Sequence, residues 1–257
     1  MGLHDATDFS LYHHVLSRAR WSTLDGGRRL LHRLVRTCVA VGGDLTCVID
    51  ETLERRCGPR ITQRGHDRDP LASSRQRSVA TSGWRWIVLT WVITPPWAQR
   101  LWALPVLRVP APTPEVSCRL GRRHQTVPHW ARQMMLVVRR WWPGVELTII
   151  GDQAYSVHAR GGACARRGVR LIAPLRMDAA LYGPAPPREP GTNGRPRVNG
   201  ERLPRLDQVL KDTQPAWQRV HVRWDNGRRR KLEVTSGTAV GDSDGPAGAA
   251  DPLGAHA

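Results

Sequence analysis

The chain is predicted to be an α/β protein built on a mixed sheet, on three observations. Leu45 to Ile49 is a short apolar run with the length and β-branched content of a buried strand, and it ends in Asp50 and Glu51. Glu146 to Asp152, ELTIIGD, repeats the pattern, again an apolar strand ending in Asp. Between them Pro128 to Trp142 has the spacing of an amphipathic helix. A lone acid after a strand ordinarily caps the following turn. Two such units point instead to a shared site. If the two strands are parallel neighbours, with the helix in the crossover, both end at one edge of the sheet. Asp50 and Asp152 then stand side by side where open α/β sheets present their chemistry.

The elements follow in order. Phe9 to Val39 is expected to be helical, with Leu30, Leu31, Leu34, Val35 and Cys38 at three- and four-residue spacing and arginines opposite them. Gly42-Gly43 ends it. Glu54 to Gln76 is expected to be a polar connection broken by Gly58-Pro59, Gly65 and Asp69-Pro70. Trp84 to Thr94 and Leu101 to Val109 are expected as consecutive strands turning at Pro95-Pro96, with Trp97 and Trp102 in the core by default. Pro110 to Val127 is a Pro- and Arg-rich loop, and its His124 and the nearby His129 lack the spacing of helical metal ligands. In the helix that follows, Pro128 suits the first turn, and Trp130, Met134, Val137, Val138 and Trp141 form one apolar face.

Ala154 to Arg167 is expected to be helical up to Gly168, and Val169 to Leu175 to be another strand. Six prolines between Tyr182 and Leu206 exclude sheet core there and suggest a basic arm that orders on nucleic acid. Leu206 to Leu210 hints at a short helix. Trp217 to Trp224 and Arg229 to Thr235 flank Asp225-Asn226-Gly227, a hairpin signal. From Ser236 the chain is small residues, Gly, Pro and Asp, a composition expected to be disordered. The resulting division is 1–40 helical, 41–181 sheet core, 182–235 Pro/Arg-rich stretch and hairpin, and 236–257 tail.

Composition narrows the partner. The net charge is +17, almost all of the basic residues are Arg, and Lys211 and Lys231 are the only lysines. The acidic tail means that residues 1–235 carry +20. Such an excess suits a polyanion, nucleic acid before membrane, because guanidinium groups pair with phosphate in bidentate fashion. Arg55, Arg56, Arg60, Arg64, Arg68 and Arg75 lie close in sequence to Asp50, and Arg122 and Arg123 stand in the later loop; these eight are the candidate phosphate contacts. The most apolar run, Trp84 to Thr94, is too short to span a bilayer and contains Arg85. The five cysteines show no C-x-x-C pair, so neither a zinc site nor a disulfide framework is suggested.

Two carboxylates at close range repel unless a cation lies between them. Hard oxygen donors in small number suit Mg²⁺ or Mn²⁺, with phosphate oxygens completing the shell. A pair of such ions activates a water or 3′-hydroxyl for in-line phosphoryl displacement.

Several stretches carry a family resemblance: FSLYHHVLSRARWS (from Phe9), VIDETLERRCGPRI (from Val48), RDPLASSR (from Arg68), GRRHQTVPHWARQM (from Gly121), RMDAALYGPAPPREPG (from Arg176) and RLDQVL (from Arg205). Together, in this order, the chain resembles DDE transposases of bacterial insertion sequences from about Phe9 to Val240. The resemblance implies an RNase H-like mixed sheet with flanking helices, a β-rich insertion, and Asp50 and Asp152 as the first two catalytic and metal-binding acids. It also implies transposon-end and target DNA as partners, with a bacterial cytoplasmic, nucleoid-associated setting and no membrane; homo-oligomerisation stays open. These enzymes carry a third acid, a Glu on a helix after the insertion. Here Glu233 falls in the expected hairpin and Glu201 in the Pro/Gly-rich arm, so neither matches it. The chain is therefore expected to be a fragment truncated at both ends, weakly active or inactive alone. A non-catalytic DNA-binding remnant and an RNase H-like nuclease are the alternatives.

Overall fold

A computed structural model describes residues 10–18, 20, 22–38, 43–58, 60–74, 76–156, 164–188, 191, 193–194, 197–212, 216–223, 228–241 and 253–256. Its centre is a six-stranded mixed sheet made of β1 (Leu45–Arg55), β2 (Gly65–Arg68), β3 (Ala80–Ile93), β4 (Trp102–Pro110), β5 (Leu147–Gly151) and β6 (Val169–Ile172). The order is β2-β3-β1-β5-β6, with β4 also paired to β3. Pairing is antiparallel around β3 and parallel from β1 through β5 to β6. This curled mixed sheet with few helices is consistent with the expected RNase H-like fold.

Two helices, one from the N-terminal stretch and one from the middle of the chain, cover one face. The single helix expected over Phe9 to Val39 is two, α1 (Ser10–Ser17) and α2 (Thr23–Cys38). The break has a local cause: the Ser22 hydroxyl accepts from the Asp25 backbone N–H, so Ser22 starts a new helix. Past a further short helix, α3 (Pro114–Arg119), lies α4 (Val127–Trp141), close to its expected span. Thr113 and Thr126 cap α3 and α4 through their hydroxyls, and a Pro stands in the first turn of each. The loop expected from Pro110 to Val127 therefore contains helix, because Thr113-Pro114 supplies a start signal.

The core lies between this helical layer and the sheet. Leu31 and Val35 of α2 and Ala131, Met134, Met135 and Val138 of α4 meet Leu45, Cys47, Ile49, Ile87, Leu89, Leu147 and Ile149. Trp91 joins this core, whereas Trp97 and Trp102, expected inside, are 64% and 41% exposed near the β3–β4 turn.

The α2 contact is close. A Cβ on Gly27 would stand 2.6 Å from the Val106 carbonyl oxygen of β4. Gly27→Ala should therefore destabilise the fold by about 1–2 kcal/mol, although Ala is the better helix former by about 1 kcal/mol. Urea unfolding measures this, and an unchanged or raised midpoint would show that α2 can shift without cost.

Four further expectations are corrected. The polar connection after Glu54 contains β2, which forms because Gly65 pairs with Gly83 and so on to Arg68 with Ala80. The first and last described parts of Ala154–Arg167 are 3-10 turns, Gln153–Ser156 and Ala165–Arg167, not one helix; 157–163 lie outside the described residues. The Pro-rich stretch is not wholly excluded from sheet: β7 (Leu181–Pro184) and β8 (Asn199–Arg202) pair with each other. Regular structure also continues past the boundary expected at Ser236, since β11 (Ser236–Gly241) pairs with β7 and with β12 (Leu253–His256). Residues 242–252 lie outside the described residues. The short helix α5 (Leu206–Val209) and the hairpin strands β9 (Gln218–Arg223) and β10 (Arg229–Val234) form where expected, while the turn Asp225-Asn226-Gly227 lies outside the described residues. Among the described residues no helix is long and apolar enough to cross a membrane.

Candidate active site

Strand β1 does not end at Asp50, as the abrupt change from apolar to charged residues suggests. It runs on to Arg55, because β3 pairs with it as far as Arg55 opposite Gly83. What ends at Asp50 is the pairing with β5, whose last partners are Ile49 and Gly151. The next residue on each strand is an acid. The parallel register thus sets Asp50 and Asp152 each one residue past the last pair, side by side where β5 leaves the sheet.

Both acids are exposed. Each has one oxygen tied to nearby backbone: Asp50 Oδ1 accepts from the Glu51 N–H at 2.8 Å, and Asp152 Oδ1 from the Ala154 N–H at 3.0 Å. These bonds hold both carboxylates in place. Gly151 makes the turn at Asp152 compact, since a Cβ there would meet the Tyr155 ring at 2.9 Å.

Side chains alternate along a strand, so Glu51 points to the helix-covered face while Asp50 points to the other. On the Glu51 side a polar row crosses the sheet. Arg85 of β3 reaches Glu51 at 3.5 Å and Asp67 of β2 at 2.9 Å. Burial raises the Glu51 carboxyl above its usual value; Arg85 opposes this, while Asp152, Asp50 and Asp67 add to it. Asp67 is raised for the same first reason, burial, again opposed by Arg85. Tyr155 is fully buried, and among the described residues its hydroxyl has no hydrogen-bond partner; burial and then Glu51, Asp152 and Asp50 hold it in the protonated form. Arg85 is the member of this row that could have been noticed in advance, as the single charge in an apolar strand.

Asp69 is a second residue that local pattern did not single out. It is 2% exposed and accepts four hydrogen bonds: Leu71 and Ala72 N–H on Oδ1, Arg55 Nε and Thr81 Oγ1 on Oδ2. The Arg55 bond, first among these, holds its carboxyl well below the usual carboxylate range. The Asp-Pro dipeptide was the available signal, because Asp bonds to backbone N–H groups two and three residues on when it opens a turn.

The candidate phosphate contacts divide. Arg55 is paired with Asp69, and Arg56 with Glu54 at 2.6 Å. Arg60, Arg68, Arg122 and Arg123 are exposed. Arg64 is half-buried, its carbonyl accepting from Arg119. Arg75 lies outside the described residues. His124 Nδ1 is 3.3 Å from the Ser117 hydroxyl, and His129 Nε2 is 2.7 Å from the Gln133 amide nitrogen.

Asp50 and Asp152 offer hard oxygen donors that fit a divalent cation as a two-carboxylate anchor. Among the described residues no group of three or more His, Cys, Asp or Glu side chains is placed to hold a metal. The sequence profile of a family described as DDE superfamily endonuclease matches residues 3–239. No curated protein matches the chain.

Proposed function

Since the chain belongs to the DDE superfamily endonucleases, we propose that it is the catalytic domain of an insertion-sequence transposase that cleaves DNA at Asp50 and Asp152. The observation that carries this reading is the parallel register that brings the two acids together. DDE superfamily enzymes generally use divalent metals; the ion proposed here is Mg²⁺ or Mn²⁺, held by Asp50 and Asp152. Such an ion, when bound, supplies Lewis acidity toward phosphate oxygens and toward an attacking water or 3′-hydroxyl.

The chain's own residues do the rest. The backbone N–H groups of Glu51 and Ala154 fix the two carboxylates, leaving an open shell for substrate oxygens. Arg60, Arg68, Arg122 and Arg123 are proposed to meet phosphates of the approaching DNA. Arg55 and Arg56 serve internal ion pairs and contribute less.

A plasmid-nicking assay tests the proposal. The expected result is slow nicking in Mn²⁺ or Mg²⁺ that chelation abolishes, without joining of a 3′-hydroxyl to new DNA by this chain alone. Two convergent carboxylates hold one ion more securely than two, and in-line displacement loses about 100-fold from a misplacement of about 1 Å. Nicking that survives chelation would remove the metal site. A chain that binds DNA but never cuts it would favour a non-catalytic DNA-binding function, the reading that the two-acid count supports. Binding itself should weaken steeply between low and physiological salt, through release of counterions from DNA. A flat titration would contradict the role assigned to the basic surface.

A further inference from the structure

We propose that the β9–β10 hairpin is a DNA-docking ribbon, with Arg223, Arg229 and Lys231 lying against the phosphate backbone of duplex DNA. The inference rests on DNA being the substrate and names a surface that makes the contact.

The register separates two faces. Arg223 stands opposite Arg229, His221 opposite Lys231, and Arg219 opposite Glu233. The intervening pairs are Val222 with Arg230, Val220 with Leu232, and Gln218 with Val234. Because side chains alternate, the first set occupies one face and the second set the other. All six residues of the first face are exposed, whereas on the second Val220, Val222, Leu232 and Val234 are half-buried and Gln218 and Arg230 are exposed. The first face is charged and open to solvent, and the second is mostly apolar.

That charged face is unfavourable by itself. Like charges directly opposite one another destabilise a strand pair. Here Arg223 faces Arg229, and Lys231 faces His221 with Arg219 and Arg223 on the same face. Among the described residues the face holds one acid, Glu233, and that is taken by Arg219 at 3.1 Å. The sheet has only two strands, so one ribbon carries the whole cluster. A polyanion relieves this repulsion. Duplex DNA fits in shape as well, because its major groove admits a two-stranded ribbon and its phosphates flank that groove.

The test uses the whole chain and a fluorescent 30-base-pair duplex, with affinity measured by anisotropy across a salt series. Substituting Arg223→Gln, Arg229→Gln and Lys231→Gln together should weaken binding by at least about tenfold. It should also reduce the log–log salt slope by about 2–3, roughly 0.9 for each phosphate contact removed. Without DNA the triple variant should melt no lower than wild type, since it removes repulsion rather than packing. Single Arg223→Gln and Arg229→Gln variants should each lower the slope by about 1, and they serve if the triple variant folds poorly. A salt-dependent wild type with unchanged slopes in the variants overturns the ribbon and leaves the proposed function standing. A wild type that does not bind DNA overturns both.

Discussion

Asp152→Asn is expected to slow metal-dependent DNA cleavage by about a thousandfold, a loss of about 4 kcal/mol of transition-state stabilisation. Asp50→Asn should do the same. An amide keeps the neutral oxygen that accepts the local backbone N–H, so the fold around each position survives. What disappears is the negative charge that anchors the cation. Duplex affinity should change less than about twofold, since phosphate contacts come from arginines. Single-turnover cleavage of a labelled duplex in Mn²⁺ gives the rates. Glu51→Gln provides the comparison: Glu51 neighbours Asp50 in sequence but faces the helix layer and pairs with Arg85. Its loss should cost about tenfold, through disturbance of the strand. Equal losses at Glu51 and Asp50 would show that the wrong face of β1 has been assigned to the chemistry.

The second large effect concerns stability. Asp69→Ala should lower Tm by about 5–10 °C at neutral pH, because it leaves the Leu71 and Ala72 N–H groups and the Thr81 hydroxyl without their acceptor. Asp69→Asn keeps Oδ1 and loses the bonds to Oδ2, so about half that shift is expected. The pH dependence has a definite sign. With the folded carboxyl held below its unfolded value, the ionised form stabilises the fold above the ordinary carboxylate range. That contribution is lost as pH falls through the folded value. The Tm gap between wild type and Asp69→Ala should therefore be full above about pH 5 and shrink in stronger acid. A gap that stays constant down to pH 2 would assign the effect to packing instead of charge. The same substitution should lower cleavage, since Asp69 ties the end of β2 to Arg55 on the strand that carries Asp50.

Local pattern was enough for the elements whose cause is local. The apolar runs around Cys47, Leu89 and Ile149 marked the strands, the spacing of Met134 and Val138 marked α4, and Asp225-Asn226-Gly227 marked the β9–β10 hairpin. It also placed Asp50 and Asp152 at corresponding points of two strands, which made a shared site a reasonable inference. The restart of helix at Ser22 and the turn at Asp69 were written locally too, in a capping hydroxyl and an Asp-Pro dipeptide, but each competed with a stronger neighbouring pattern. The amphipathic run of α2 masked the first, and the loop-like composition after Glu54 masked the second.

By itself, then, the sequence determined an α/β sheet, a basic nucleic-acid-binding character, two strand-associated acids and membership of one superfamily. Tertiary structure decided which residues meet. Asp50 lies one residue past the last β1–β5 pair, not at the end of its strand, because β3 continues alongside where β5 leaves. Glu51 falls under Arg85 and Asp67, which come from two other strands. Arg223 faces Arg229 only because the hairpin takes one register; a one-residue slip in one strand would exchange its faces. The physical reason is the same in each case. Strand and helix preferences are short-range properties of neighbouring side chains, whereas the residue opposite is chosen by long-range pairing and by the burial of one face against the core.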